Sequence, residues 1–293
     1  MIIDAHNHPD WLNCDFDAFI RNMNECGIDK TWLLTWEMPM TEAPVTGGLS
    51  GLPLSTSDRQ STVAIPFSRV LSYAERAPER FILGYAPDPR RPEAIACLKS
   101  AVDIYNVQVC GEVKLRMHYD NPDAVELFRA CGDLGLPVTL HFDYPEANTY
   151  CPDHNRRTWW YGGAIENLEH LLQLCPKTNF LGHAPGFWGH ISGDDLARTV
   201  AYPKGPVLPG GKIEELLTKY PNLYCDMSAG SARIALTRDM DYSYALINRF
   251  SDRFLYARDC FDNKHQEMIE EFNFSPEVKE AIYSGNALRL IRK

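Results

Sequence analysis

Two histidines one residue apart, His6 and His8, end the first apolar run of the chain, "IIDAHNH". Alternate side chains of a β-strand share a face, so on a strand the two imidazoles converge on one point. Such a pair suits a divalent ion such as zinc. Three more apolar runs end in the same chemistry. "LPVTLHFD" carries His141 at its C-terminal end, "TNFLGHAPG" carries His183, and "RFLYARDCFD" places Asp259 just past its end. Imidazole and carboxylate are the ligands of hydrolytic metal centres. There the ion lowers the pKa of water from ~15.7 towards ~7, and a neighbouring carboxylate takes the proton. With nine histidines in the chain, a single His-x-His pair says little. Four histidines and one aspartate, closing four separate apolar runs, form a much more specific pattern.

A further run, "VCGEVKLRMH", alternates Glu112, Lys114 and Arg116 onto one face. Glu112 is either a metal ligand or half of an internal ion pair with Lys114. Lys114 and Arg116 are candidates to receive a substrate carboxylate, which the planar guanidinium fork suits. Arg258, adjacent to Asp259 along its strand, is expected to point away. Trp36, at the end of the second apolar run, is placed at the pocket floor, and His190, in the loop after His183, is expected to line the site. His118 lies just beyond the fourth run and faces either pocket or water. His154, His170 and His265 read as loop or helix-surface residues.

These side chains need a scaffold that brings strand ends together. Eight candidate strands cover 2–5, 30–36, 81–86, 107–115, 137–142, 179–182, 222–226 and 254–257. Amphipathic helical stretches fall at 16–26, 62–77, 92–105, 122–134, 164–174, 212–220, 232–249 and 263–293. Alternating strands and helices predict a parallel sheet. Eight units over 293 residues with no break in composition point to a single domain, a closed (β/α)8 barrel. An open doubly wound sheet is the competing architecture, but it calls for a Gly-rich turn after its first strand, where this chain has His6 and His8. Gly27 and Gly135 stand where helices should end, and Asn121-Pro122-Asp123 marks a helix start. Three long loops, 37–61, 143–163 and 183–211, each follow a strand and belong to one face of the barrel. The first is polar and rich in Gly and Pro, and is expected to be mobile; the second carries Trp159, Trp160 and Tyr161, an aromatic cluster fit to wall a pocket.

Bulk properties narrow the function classes. Net charge is −10, and the basic residues are scattered, which argues against a nucleic-acid or membrane-surface partner. No apolar stretch approaches the ~18 residues of a membrane span. Nine cysteines, an odd number without a CxxC, read as reduced thiols of a cytoplasmic protein.

The set of strand-end residues resembles the amidohydrolase superfamily, in particular its amidohydrolase-2 branch. "GLPVTLH" resembles that family's fifth strand, "GHAPGFWG" its sixth-strand loop, and "YSGNALRLI" its closing helix. The resemblance implies that His6, His8, His141 and Asp259 ligate one or two divalent ions, zinc or manganese. It also implies that Asp259 acts as a general base and that His183 orients water or polarises substrate. Two-metal members place a carboxylated lysine or a glutamate on the fourth strand to bridge the ions, and the Gly-Glu setting of Glu112 resembles the latter. Lys114 resembles a "KLH" lysine of the amidohydrolase-2 branch. Asn286 resembles a residue that ties down the C-terminus. Two activities follow: hydrolysis of an amide, lactone or related bond in a small molecule, or non-oxidative decarboxylation of an aromatic or unsaturated acid. Phosphoester hydrolysis is disfavoured by the acidic charge. The partner implied is a small carboxylate-bearing substrate, and a homodimer is the assembly the resemblance suggests.

Overall fold

The computed structural model describes residues 1–39, 42, 63–143 and 160–291. Most of the first two long loops, with Trp159 and His154, lies outside the described residues. Among the described residues the strands are β1 (Ile3–Asn7), β2 (Lys30–Leu33), β3 (Trp36–Met38), β4 (Val63–Ile65), β5 (Phe81–Leu83), β6 (Cys110–Val113), β7 (Val138–His141), β8 (Phe180–His183), β9 (Leu223–Asp226) and β10 (Phe254–Leu255). Between and after them come α1 (Phe16–Glu25), α2 (Phe67–Arg76), α3 (Ala94–Tyr105), α4 (Pro122–Leu134), α5 (Ile165–Leu174), α6 (Pro185–Trp188), α7 (Lys212–Lys219), α8 (Ala229–Thr237), α9 (Met240–Arg249), α10 (Lys264–Glu271), α11 (Pro276–Glu280) and α12 (Asn286–Leu290).

Eight of the strands form the barrel. β1, β2 and β5 pair in parallel, as do β6 through β10 in sequence order. Backbone bonds close both seams. Between β5 and β6, the Tyr85 N–H donates to Val109 O (3.0 Å) and Gln108 N–H to Leu83 O (2.9 Å). Between β10 and β1, Ala5 N–H donates to Tyr256 O (3.0 Å) and Asp259 N–H to His6 O (2.9 Å). The result is a TIM barrel, as the alternation of elements predicts.

Two apolar layers hold it. Inside the ring, Ile3, Ala5, Trp32, Leu34, Ile82, Val109, Leu181, Tyr224, Leu255 and Ala257 pack together, with Ala287 and Leu290 of α12 against them. Outside, the other faces of the strands meet the helices; Phe19 and Met23 of α1 join Tyr73 of α2 and Phe81 of β5 there. Helix ends follow local chemistry. Asp15 accepts from Ala18 N–H (2.9 Å) to start α1, and Asn121 accepts from Asp123 N–H (3.0 Å) to start α4. Gly135, at φ 69°, ends α4 in the left-handed region. Asn286 donates to Ser251 O (2.8 Å) and Phe254 O (2.7 Å), fixing the closing helix to the last strand.

Several boundaries differ from the sequence reading. The second expected strand splits: β2 stops at Leu33, and Trp36 belongs to β3, which pairs antiparallel with β4. The expected helix 62–77 therefore begins only at Phe67. Pro66 lacks the N–H a helix interior needs, and it sits extended at φ −77°, ψ 158°. The expected helix 232–249 is two helices, with Asp239 capping the second by accepting from Tyr242 N–H (3.0 Å). The loop 183–211 contains α6, which packs closely on the barrel: a Cβ on Gly182 would lie 2.4 Å from the Phe187 ring, and one on Gly186 would lie 2.7 Å from the Phe142 backbone. Among the described residues no helix is long and apolar enough to cross a membrane.

Candidate metal centre

The strand ends deliver a single buried polar cluster. Along β1, Ile3 and Ala5 face the barrel interior while Asp4 turns outward to Arg258. The register then shifts between Asp4 and Asn7, and His6 and His8 both arrive on the inner side. His141 and His183 are direct partners across β7 and β8. Leu181 and Tyr224 face inward, and so do His183 and Asp226 two residues further on, as a period of two requires.

The outer nitrogens of the first pair are committed. His6 Nδ1–H donates to Asp226 Oδ2 at 2.6 Å, and His8 Nδ1–H donates to Leu34 O at 2.9 Å. This turns both Nε2 atoms to the centre, 3.2 Å apart. A carboxylate or carbonyl behind each imidazole is how metal-binding histidines are oriented. Glu112 lies in the middle of the cluster. Its Oε2 is 3.4 Å from His8 Nε2 and 3.9 Å from His6 Nε2. Its Oε1 is 2.7 Å from His141 Nδ1 and 3.7 Å from His183 Nε2. His141 Nε2 faces Asp143 Oδ2 at 2.8 Å, and His183 Nδ1 faces Ser228 Oγ at 2.9 Å. Asp259 Oδ1 completes the ring, 3.7 Å from His8 Nε2.

The electrostatics match the geometry. Burial alone would lower the His6 imidazole, but Asp226 against it raises it to about 10. Burial would raise Glu112, yet His141 and His8 outweigh it and hold the carboxyl well below the usual range. Burial pushes His183 well down. Burial also dominates at Asp259, whose carboxyl is raised despite His6 and His8 nearby.

These residues suit a divalent ion on two grounds. Asp259 Oδ1 is buried and, among the described residues, without a hydrogen-bond partner. His6, His8 and Asp259 bring donor atoms within 4.8 Å of one another, as do His6, Glu112 and His183. Backbone strain collects here as well: Ala184, Ala229 and Asp259, each just past a strand end or its neighbouring turn, have φ of 76°, 61° and 51°. Non-glycine residues in this region cost ~1–3 kcal/mol each and concentrate at functional sites.

The remaining expected residues divide. Lys114 Nζ lies over the Trp36 ring at 3.9 Å and 5.4 Å from the Tyr161 ring centre, so its ammonium meets aromatic faces and Glu112 is bonded instead to His141. Arg116 is half-buried, and among the described residues its Nε has no hydrogen-bond partner. Trp36 is buried and meets Trp11 edge-on at 6.1 Å; Trp11 in turn meets His8 at 5.9 Å. His190 is buried, with its pKa pushed down to about 4 by burial and then by Arg198; the other charges acting on it are Glu166, Asp195 and Lys212, none of them in the central cluster. Arg258 points away, as expected, onto Asp4. Asp143, Asp226, Ser228 and Trp11 escaped the sequence reading. For Asp226 a signal was present: it ends the seventh barrel strand two residues past an inward position, as His183 does on the sixth. Trp11 opens a short 3-10 helix and Ser228 directly precedes α8, so no strand periodicity speaks for either.

Known proteins of similar fold place the site in context. No curated protein matches the chain in sequence. The 5-carboxyvanillate decarboxylase of Sphingomonas paucimobilis superposes with a TM-score of 0.63 at 15% identity, covering 99% of this chain and 98% of that one. A dihydroxybenzoic acid decarboxylase from Polaromonas, solved with manganese and the inhibitor 2-nitroresorcinol, gives 0.59 at 16% identity over 99% and 96%. A probable 2-pyrone-4,6-dicarboxylic acid hydrolase from Acinetobacter baumannii with citric acid bound gives 0.58 at 13% identity over 99% and 98%. At such identity these likenesses speak for the fold. The amidohydrolase family model matches residues 3–293. With that match spanning nearly the whole chain, the protein belongs to the amidohydrolase family, whose members are metal-dependent enzymes.

Proposed function

We propose that the protein is a metal-dependent hydrolase that opens an amide, lactone or related bond in a small, carboxylate-bearing molecule. The observation that carries this reading is how Glu112 divides its two oxygens: Oε2 faces His6 and His8, and Oε1 faces His141 and His183. A carboxylate so split could be shared between two ion positions. His6, His8 and Asp259 would hold one ion, zinc or manganese, and His141 and His183 the other. A bound divalent ion supplies Lewis acidity that makes hydroxide accessible near neutral pH. The protein's own groups do the rest. Asp259 accepts the proton of the attacking water and returns it to the leaving group. Ser228, at 2.9 Å from Nδ1, steadies His183 with its Nε2 towards the second ion position. Lys114 and Arg116 receive the substrate carboxylate, and Trp36 walls the pocket. His190, kept neutral by burial, supports the loop after β8.

One observation favours a second reading. The Lys114 ammonium over Trp36 and beside Tyr161 would equally hold an aromatic acid for decarboxylation, the reaction named for two of the structural neighbours. The test is to load the full chain with zinc or manganese, count ions, and assay lactones and amides beside aromatic acids. Hydrolysis predicts two ions and no CO2. Glu112→Gln should then bind one ion and lose activity by a factor on the order of 10³. One ion in the unaltered protein, with CO2 released, would replace hydrolysis by decarboxylation.

A further inference from the structure

Directly after Asp259 the chain turns and starts α10, and three more donor side chains meet there. Cys260 Sγ, an Asp262 oxygen and a ring nitrogen of His265 lie within 4.8 Å of one another. The sequence alone places His265 on a helix surface; in the structure it is 2% exposed. One of its nitrogens is spoken for: Nε2–H donates to Ala229 O at 2.9 Å. This fixes the tautomer and leaves Nδ1 as a bare lone pair. Nδ1 is buried and, among the described residues, without a partner. An unpaired acceptor in such a place is costly to leave unmet, and the His6–His8 centre does not use it. A backbone carbonyl behind one imidazole nitrogen, with the other left open, is also how ligating histidines are oriented.

We propose that Cys260, Asp262 and His265 form a second metal site, separate from the His6–His8 centre, for a divalent ion of the zinc class. The donor set selects the ion. Thiolate, imidazole and one carboxylate suit zinc, whereas calcium and magnesium want oxygen alone. On binding, the Cys260 thiol gives its proton to solvent. Thiolate and carboxylate then balance the two charges of the ion, and the imidazole adds a neutral donor. The groups now around Asp262 can yield. Its Oδ1 accepts from Lys264 N–H (3.1 Å) and from the Cys260 thiol (3.6 Å). Its Oδ2 pairs with the Lys264 ammonium at 3.1 Å, on a side chain 58% exposed that is free to swing into water. An ion here clamps the turn that presents Asp259, whose own backbone is held at φ 51°.

Cobalt(II) reports on this site by itself, because the His6–His8 centre contains no thiol. The metal-free full chain titrated with cobalt(II) should develop a near-ultraviolet thiolate-to-cobalt band. That band should persist in the His6→Ala, His8→Ala double variant, vanish in Cys260→Ser, and need more than about tenfold more cobalt in Asp262→Asn. Absence of the band at saturating cobalt, or its survival in Cys260→Ser, overturns the proposal. Should Cys260→Ser fail to fold, alkylation of the unaltered protein decides. Protection of Cys260 by zinc, read by peptide mass, supports the site, and equal labelling with and without zinc overturns it.

Discussion

Two buried polar clusters share β1 and β10 and differ in how their groups are satisfied. Around Asp4, every carboxylate oxygen is filled. Oδ1 accepts from Arg258 N–H (2.9 Å) and His6 N–H (3.3 Å), and Oδ2 accepts from Arg258 Nε (2.9 Å) and Asn7 Nδ2 (3.1 Å). Two residues past Asp4 on the one side and one past Arg258 on the other, the His6–His8–Asp259 cluster is left open. Two Nε2 atoms face each other, Asp259 Oδ1 has no hydrogen-bond partner among the described residues, and Glu112 Oε2 stands at 3.4–3.9 Å from both histidines. In the first cluster the carboxylate is fully satisfied and acts as a structural joint, although among the described residues Arg258 Nη2 has no hydrogen-bond partner. The second is polarised and unfinished, the arrangement expected where a cation completes the set. Asp4 and His6 have the same parity, so it is the register shift after Asp4 that sends them to different clusters.

The comparison breaks most visibly at the joint. Arg258 is fully buried, so Asp4→Ala strands its charge, and removing one partner of a buried pair costs about 3–5 kcal/mol. Urea unfolding at neutral pH should show that loss, and much of it should return when Arg258→Met is added, since an apolar replacement of a buried pair is often neutral. A loss below about 1 kcal/mol would mean that the joint is not structural. Metal content of the folded fraction should stay unchanged, because Asp4 faces away from the donors.

At the open cluster the expected effect is on ions and not on the fold. Asp226 is bonded to His6 Nδ1 at 2.6 Å, and burial of its carboxyl is outweighed by His6 and His183, which hold it low. Asp226→Asn keeps the shape and an acceptor but removes the charge behind the imidazole. Loss of such a supporting carboxylate weakens metal affinity by about 10- to 100-fold. Competition against a chelator of known affinity measures it. Unchanged affinity would show that His6 does not ligate through Nε2.

Most of the scaffold was legible because the hydrophobic pattern is repetitive. Eight apolar runs bounded by helical stretches and punctuated by Gly27, Gly135 and Asn121-Pro122 leave few topologies. Residues at the ends of regular strands, His141 and His183 above all, could be placed by parity. What stayed hidden depends on irregular backbone. The shift between Asp4 and Asn7 cannot be read from alternation, and neither can the antiparallel pair that takes Trp36 out of β2. Asp226 was legible in principle and lost among ordinary strand-end aspartates. His265 was legible in principle as well: on α10 it shares a face with Met268 and Ile269, three and four residues on, and that spacing marks the face as buried. Metal-ligand roles at Glu112 rest on which way each oxygen points, and only three-dimensional structure supplies that.

A third carboxylate, Glu37 on β3, stands between the two extremes and sharpens the contrast. It is half-buried, and among the described residues its Oε1 accepts from Phe67 N–H at 3.0 Å. Burial raises its pKa from 4.5 to about 6, against the opposing pull of that bond and of Arg91. A carboxyl raised in the folded state binds its proton more tightly there than in the unfolded chain. Its contribution is therefore fully present below pH ~4.5 and is lost as the pH rises through ~6. Glu37→Gln keeps the acceptor for Phe67 and abolishes the ionisation. The variant should be more stable than the parent above pH ~6 by about 1 kcal/mol, after discounting for partial exposure, and equal to it near pH 4. Parallel urea titrations at the two pH values check this. A variant less stable at both would mean that the charged carboxylate is wanted, and that Glu37 belongs with Asp4 among the finished joints.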